Sequence, residues 1–84
     1  MDTCYFSIIE RTDDGGFSAW VPDLPGVTAY AATEDEVLRH VFRNARECLR
    51  NLIVTGQPLP AARPLDELPR GDGRAFRRLL LVIS

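Results

Sequence analysis

Acidic side chains are the first candidates for chemistry in this chain of 84 residues. Hydrolysis with two metal ions needs carboxylate oxygens from several strands and helices, because divalent ions such as Mg²⁺ prefer oxygen ligands. Glu10 lies near the end of the first predicted strand, and Glu36 lies in the first turn of a predicted helix. The last predicted strand contains no acid between Arg77 and Ser84. The ligand set for a nuclease is therefore incomplete, and we predict no metal site.

The single histidine, His40, is the next candidate for catalysis. It follows Glu36 by four residues on the predicted helix, so the two side chains can pair at the helix surface. Catalysis by His40 would need a nucleophile or an orienting acid beside it, and the sequence offers neither. Cys48 lies eight residues further on, too far around the helix to share a metal ion with His40. We therefore predict no catalytic residue and no cofactor.

All ten basic residues are arginines, and four of them form a stripe along the predicted helix. Arg39, Arg43, Arg46 and Arg50 are separated by four, three and four residues, which places them on one helix face. Such a row can bind phosphates or an acidic protein surface. The alternative is a solvated face with weak ion pairs, and the acids at the edges of the stripe favour this alternative. The expected pairs are Asp35–Arg39, Arg43–Glu47 and Glu47–Arg50.

Composition and charge indicate an ordinary globular protein. The length suits one domain over residues 1–84, and a net charge of −2 argues against a dedicated nucleic-acid binder. No apolar run approaches the roughly 18 residues that span a bilayer. The first residues, Met1 to Cys4, contain neither the basic region nor the apolar segment of an export signal. We expect a cytoplasmic protein with both cysteines reduced.

Two turns flank a short apolar strand and predict its ends. Asp14-Gly15-Gly16 is typical of a β-hairpin, because glycine readily adopts the positive φ that tight hairpin turns need. Pro22-Asp23-Leu24-Pro25-Gly26 ends the following strand, since proline has no N–H to donate to a sheet. Asp23, between two prolines, is typical of a turn; the alternative is a contact with a basic partner.

One long helix follows the second turn. Thr33 and Glu36 form a capping box at its start. Gly56 and Pro58 end it near Thr55, because glycine favours the C-cap and proline cannot continue a helix. The apolar residues at helical spacing predict its buried face. They are Leu38, Val41, Phe42, Ala45, Leu49, Leu52 and Ile53.

The remaining segments predict a two-layer α+β fold in the order strand-strand-strand-helix-strand. The predicted strands are Tyr5–Thr12, Phe17–Val21, Val27–Ala32 and Arg77–Ile83. Residues 57–75 form a proline-rich connection with at most one helical turn around Asp66-Glu67-Leu68. If the third and fourth strands are parallel, the helix is their right-handed crossover.

A single helix can cover only one face of this sheet, so the other face must be polar or find a partner. The last strand is apolar at consecutive positions, and therefore on both faces. Trp20 alternates with Phe17, Ala19 and Val21, which places it on the opposite face from them. We therefore predict a homo-oligomer, a dimer or higher, with Leu79, Leu81 and Ile83 in its interface.

The order of these signals resembles the HicB-like antitoxin domain family. It reads Y-x-x-x-x-E, D-G-G, P-D-L-P-G and T-x-x-E, followed by the helix and G-x-x-x-P. The resemblance runs from Tyr5 to about Pro60, and Leu79–Ile83 fits the last strand of the family. It implies a truncated ribonuclease-H-like sheet with one long helix.

The same resemblance implies a non-enzymatic antitoxin that neutralises a small, basic, HicA-like toxin. Such a toxin has a double-stranded-RNA-binding type of fold and cleaves mRNA with a histidine. Many family members carry a further DNA-binding segment, and since this chain ends at Ser84 we expect no direct DNA binding. The alternative is an orphan HicB-fold module, structural or ligand-binding, with no toxin. For a partner, the predicted contact residues are Trp20, Pro22, Asp23 and Leu24.

Overall fold

Residues 2–68 and 74–82, the parts of the chain that this computed structural model describes, form an antiparallel sheet with one helix packed on it. The elements in chain order are β1 (Asp2–Arg11), β2 (Phe17–Trp20), β3 (Thr28–Ala31), α1 (Glu34–Val54) and β4 (Arg74–Val82). A 3-10 turn at Leu65–Glu67 lies in the connection between α1 and β4. This arrangement confirms the predicted two-layer α+β fold.

The strand order across the sheet is β3-β2-β1-β4, and every neighbouring pair is antiparallel. β3 and β4 therefore lie at opposite edges and run in opposite directions. The conditional prediction of a crossover helix between parallel strands is not realised. Instead, α1 and the connection after it carry the chain from one edge of the sheet to the other.

The place where β4 begins sets its direction relative to β1. After α1, the chain contacts Tyr5 on β1, whose hydroxyl donates to the carbonyl oxygen of Pro60 at 2.6 Å. β4 then begins at Arg74, which pairs with Glu10 near the far end of β1. From there β4 continues past Tyr5 to Val82, which pairs with Asp2. β4 therefore runs antiparallel to β1.

Both ends of α1 lie where the sequence signals predict, with the Thr33 half of the predicted capping box formed. The hydroxyl oxygen of Thr33 accepts a hydrogen bond from the backbone N–H of Glu36 at 3.2 Å. At the other end Gly56 has φ of 74°, and its N–H donates to Ile53 at 3.1 Å. The N–H of Gln57 donates to Leu52 at 2.8 Å, which completes a Schellman-type C-cap.

The predicted buried face of the helix is largely confirmed, but the prediction omitted Val37 and included Ile53. The fully buried residues recur every fourth position, at Val37, Val41, Ala45 and Leu49. Leu38, Phe42 and Leu52 are half-buried at the edges of this row, and Ile53 is exposed. The central row consists mainly of small or β-branched side chains, which let the helix approach the sheet closely. The larger residues then flank the contact on either side.

The sheet buries residues on both faces. Tyr5 and Ile9 of β1 belong to the core cluster between sheet and helix, together with Ala19 and Leu79. Ile8 points to the opposite face, yet it is 0% exposed. Its cross-strand neighbours there are Trp20 and Phe76, both half-buried aromatic residues. The predicted position of Trp20 is confirmed, and this face is partly covered by its own aromatic side chains.

Within the described ranges, no helix combines the length and the apolar character needed to cross a membrane. Cys4 and Cys48 are both half-buried, and neither forms a disulfide.

Candidate partner-binding site

The segment from Val21 to Val27 folds into two consecutive tight turns. The N–H of Leu24 donates to the Val21 carbonyl at 3.0 Å, and the N–H of Val27 donates to the Leu24 carbonyl at 3.1 Å. The N–H of Val21 donates to the Val27 carbonyl at 3.2 Å, which closes the loop. Gly26 has φ of 88°, a conformation that side chains with a Cβ rarely adopt. The prolines and this glycine therefore fix the shape of the loop.

Two of the four predicted contact residues have largely buried side chains. Leu24 is 1% exposed and belongs to the core cluster, as do Val21 and Val27 at the two ends of the loop. The side chain of Asp23 is only 6% exposed, because its carboxylate is covered by Arg63. Both residues hold the loop in place in this structure. A role for either one in partner contact stays an untested prediction.

Asp23 fastens the proline-rich connection to the loop. Its Oδ2 accepts a hydrogen bond from the backbone N–H of Arg63 at 2.9 Å, and its Oδ1 accepts one from Nε of Arg63 at 2.5 Å. The hydroxyl of Tyr5 holds the same connection at Pro60. We call residues 57–64 the strap. Sequence reasoning missed Arg63 as the partner of Asp23, because no local signal links residues so far apart.

The accessible part of the loop is small and consists largely of proline. Pro22 and Trp20 are half-buried, whereas Pro25 and Gly26 are exposed. A cleft of about 400 Å³ separates the loop from the second half of α1. Among the residues that line it are Pro25, Cys48 and Asn51. We call the accessible part of the loop, around Pro22 and Pro25, the loop rim. Pro25 and Gly26 also line the cleft, so the rim and the cleft adjoin.

At the other end of the sheet, the hairpin tip is held by a network around Asp14. Its carboxylate accepts hydrogen bonds from the Thr12 hydroxyl, from the Tyr30 hydroxyl at 2.5 Å and from the Gly16 N–H at 3.1 Å. The hydrogen bond from Thr12, followed by that from Tyr30, lowers the pKa of Asp14 from 3.8 to about 2. The hydrogen bond between Tyr30 and Asp14 also raises the pKa of Tyr30. This network fixes the tip and offers no free nucleophile.

Comparison with solved structures decides the fold. The chain superposes on the N-terminal domain of the Burkholderia pseudomallei antitoxin HicB with a TM-score of 0.81 and 20% identity, covering 98% of this chain and 99% of that one. It has the fold of the HicB N-terminal domain. A chain of a HicA3 and HicB3 toxin-antitoxin complex matches with a TM-score of 0.68 and 19% identity, over 96% of this chain and 100% of that one.

The chain also superposes on a longer structure, the Burkholderia pseudomallei antitoxin HicB, with a TM-score of 0.78 and 17% identity. There the match covers 98% of this chain and 64% of that one. No protein-family model and no curated protein matches the sequence. At these identities the likeness concerns the fold.

On this HicB fold, the residues considered for hydrolysis lie apart. Glu10 follows Ile9 on β1 and so points away from α1, whereas Glu36 lies on α1 itself. No hydrogen bond or ion pair joins His40 to Glu36 in the described residues, so the predicted pair is wrong. Nor do those residues contain a cluster of three side chains from His, Cys, Asp and Glu that could hold a metal ion.

The predicted oligomer residues lie on or beyond β4 of the HicB fold. Leu79 is 5% exposed and packs in the core, opposite Tyr5 in the sheet register. The backbone of Leu81 pairs with Thr3, while its side chain lies outside the described part of the structure. Ile83 also lies outside the described residues. The oligomer interface therefore stays a prediction.

Proposed function

We propose that this protein is a non-enzymatic antitoxin that binds and neutralises a small HicA-like, mRNA-cleaving toxin. The observation that carries the proposal is the HicB fold over 98% of the chain. A second similar structure is a toxin-antitoxin complex. The neutralising act is steric: the antitoxin binds over the catalytic surface of the toxin and keeps RNA away from it.

Charge and rigidity support such a role. A basic toxin is attracted to a protein with a net charge of −2, since complementary charge speeds association. Asp13 is an exposed acid that contributes to this attraction. The strap and the two tight turns hold the loop rim in one shape before binding. A preformed surface loses less conformational entropy when the complex forms.

The contact surface in this proposal is the rim of the loop, with Pro22 and Pro25 at its centre and Trp20 at its edge. Pro22 and Trp20 are half-buried and Pro25 is exposed, so all three present surface to a partner. Asp23 and Leu24 act indirectly by holding the rim in position.

We further propose a cytoplasmic, single-domain protein that self-associates. Because Leu79 packs in the core on the α1 side of β4, the interface proposed here is the opposite sheet face, around Ile8 and Phe76.

The test is co-expression with the product of the neighbouring reading frame in a bacterial host. We expect that product to stop growth when expressed alone, and we expect this chain to restore growth and to co-purify with it. A Pro22→Asp/Pro25→Asp variant should lose both effects. A matched Ile53→Asp/Val54→Asp variant, which changes exposed residues in the last turn of α1, should retain them.

An orphan HicB-fold module would give a different result. In that case no neighbouring product would be toxic or bind the chain, and the antitoxin proposal would be withdrawn. Growth rescue that persists in the loop variant would keep the antitoxin role but place its contact surface elsewhere.

A further inference from the structure

Four exposed arginines cover the solvent side of α1. Arg39, Arg43, Arg46 and Arg50 lie on one face of the helix, and each is exposed. They surround a depression of about 270 Å³, together with Phe42 and Glu47. We call these four arginines the arginine face. They lie on the side of α1 that points away from the sheet.

The charge of the arginine face is not neutralised within the described chain. The expected pairs Asp35–Arg39, Arg43–Glu47 and Glu47–Arg50 do not form there. The ion pairs described are Arg63–Asp23 and Arg77–Glu34, and both lie outside the arginine face. The expectation of a face with its own ion pairs is therefore wrong. The neighbouring acids Asp35 and Glu47 form no ion pair with the four guanidinium groups in the described residues, so these groups remain available to a ligand.

A second copy of the same face does not fit this surface, because like charges would oppose each other across a two-fold axis. Single-stranded nucleic acid fits poorly, since its bases need exposed aromatic side chains on which to stack. The only strongly exposed aromatic residue in the described ranges is Tyr30, on β3. Tyr30 pairs with Ser18, which lies on the same face of β2 as Trp20. Tyr30 therefore lies on the sheet face away from α1. The net charge of −2 further opposes a polyanion.

An acidic helix of another protein fits both the charge and the spacing of the arginine face. The arginines step along α1 by four, three and four residues, covering roughly 16 Å at 1.5 Å per residue. Carboxylates spaced three and four residues apart on another helix repeat at the same distances. Each guanidinium can then bind a carboxylate through two parallel hydrogen bonds. The depression beside Phe42 has room for an apolar side chain between the charged ones.

We propose that the arginine face is a second docking surface, which binds an acidic helical segment of a partner protein. The arginine face adjoins the cleft beside the loop, since Glu47 lines both the cleft and the arginine depression, but its cations would repel a basic toxin. The proposal does not rest on the antitoxin role. It gives the chain two surfaces of opposite preference, one for a basic partner and one for an acidic partner.

The experiment uses a fluorescent helical peptide with glutamates at positions 1, 5, 8 and 12 and measures its anisotropy with the full chain at low salt. We expect saturable binding that weakens as salt is added. An Arg43→Gln/Arg46→Gln variant should bind roughly 2- to 30-fold more weakly, the range expected for two exposed ion pairs. Arg11→Gln, which removes an exposed arginine on β1, should bind as tightly as the unchanged protein.

A second arm needs no variant of the protein: the same peptide with lysines in place of glutamates should not bind. Equal affinity of the Arg43→Gln/Arg46→Gln variant and the unchanged protein would overturn the proposal, and so would the absence of any binding at low salt. A single-stranded oligouridylate that displaces the glutamate peptide at lower concentration would also overturn it in favour of RNA.

Discussion

The carboxylate of Asp23 holds Arg63, forty residues further along the chain, through two hydrogen bonds of 2.9 and 2.5 Å. One of the two donors is the backbone N–H of Arg63, so the strap itself is fixed and not only a side chain. The side chain of Asp23 is 6% exposed, whereas that of Arg63 is 42% exposed. The loop and the strap therefore form one unit around a largely covered carboxylate.

Asp23→Ala should lower the free energy of unfolding by about 1–3 kcal/mol, because it removes an acceptor from a charged hydrogen-bonded pair and leaves the Arg63 N–H without it. Urea denaturation followed by circular dichroism measures the change. Asp13→Ala, at the exposed hairpin tip, is the matched control and should change stability by less than about 0.5 kcal/mol. Equal effects of the two variants would show that the strap is not held by Asp23.

Leu49→Ala should lower the free energy of unfolding by about 2–5 kcal/mol, because Leu49 is 0% exposed at the centre of the helix contact. Ile53→Ala, one turn further on the same helix, is the control. Ile53 is 42% exposed, so its truncation should cost clearly less. Urea melts of the two variants test the observed helix face directly. A larger loss for Ile53 than for Leu49 would contradict it.

Asp14 should make stability depend on pH in the acid range. Its pKa is lowered to about 2 in the folded chain, against an ordinary value of 3.8. The folded state therefore favours the ionised form, and this contribution is complete above pH 3.8 and is lost as the pH falls towards 2. In the Asp14→Asn variant, this loss of stability between pH 3.8 and 2 should be absent. Chemical denaturation at a series of pH values from 2 to 6 compares the two proteins, and identical profiles would contradict the prediction.

Tyr30→Phe tests the same network from the donor side. The phenol donates to Asp14, so its removal should raise the pKa of Asp14 towards the ordinary value. NMR titration of the Asp14 carboxyl carbon measures this shift. The Thr12 and Gly16 donors remain, so the pKa should stay below 3.8. A pKa unchanged from that of the parent protein would show that Tyr30 does not bind Asp14 in solution.

Self-association through the sheet face opposite α1 is the remaining prediction. Sedimentation at tens of micromolar should show a species heavier than the 9.4 kDa monomer. Phe76→Gln, which changes a half-buried aromatic residue on that face, should shift the equilibrium towards monomer. Ile53→Gln, on α1, should leave it unchanged. A monomer at all concentrations would refute the prediction.

Much of the fold could be predicted from the sequence because its signals are local. The hairpin turn, the two-turn loop and the helix ends each depend on residues within about five positions of one another. Gly15 and Gly26 both have positive φ, at 87° and 88°, and Thr33 caps the helix as its spacing from Glu36 predicts. Backbone sterics and capping hydrogen bonds act over this short range, so they are visible in sequence.

Tertiary structure alone decided the contacts between distant segments. The sequence could not show that Asp23 binds Arg63, because each residue by itself is typical of a solvated turn or loop. It could not choose between the adjacent apolar rows of α1, since both fit helical periodicity and only the fit against the sheet places Val37 and Val41 at the centre. It predicted ion pairs for the arginine face because spacing permits them. Weak exposed pairs form only where side-chain geometry favours them over water, and that choice is made in the folded chain.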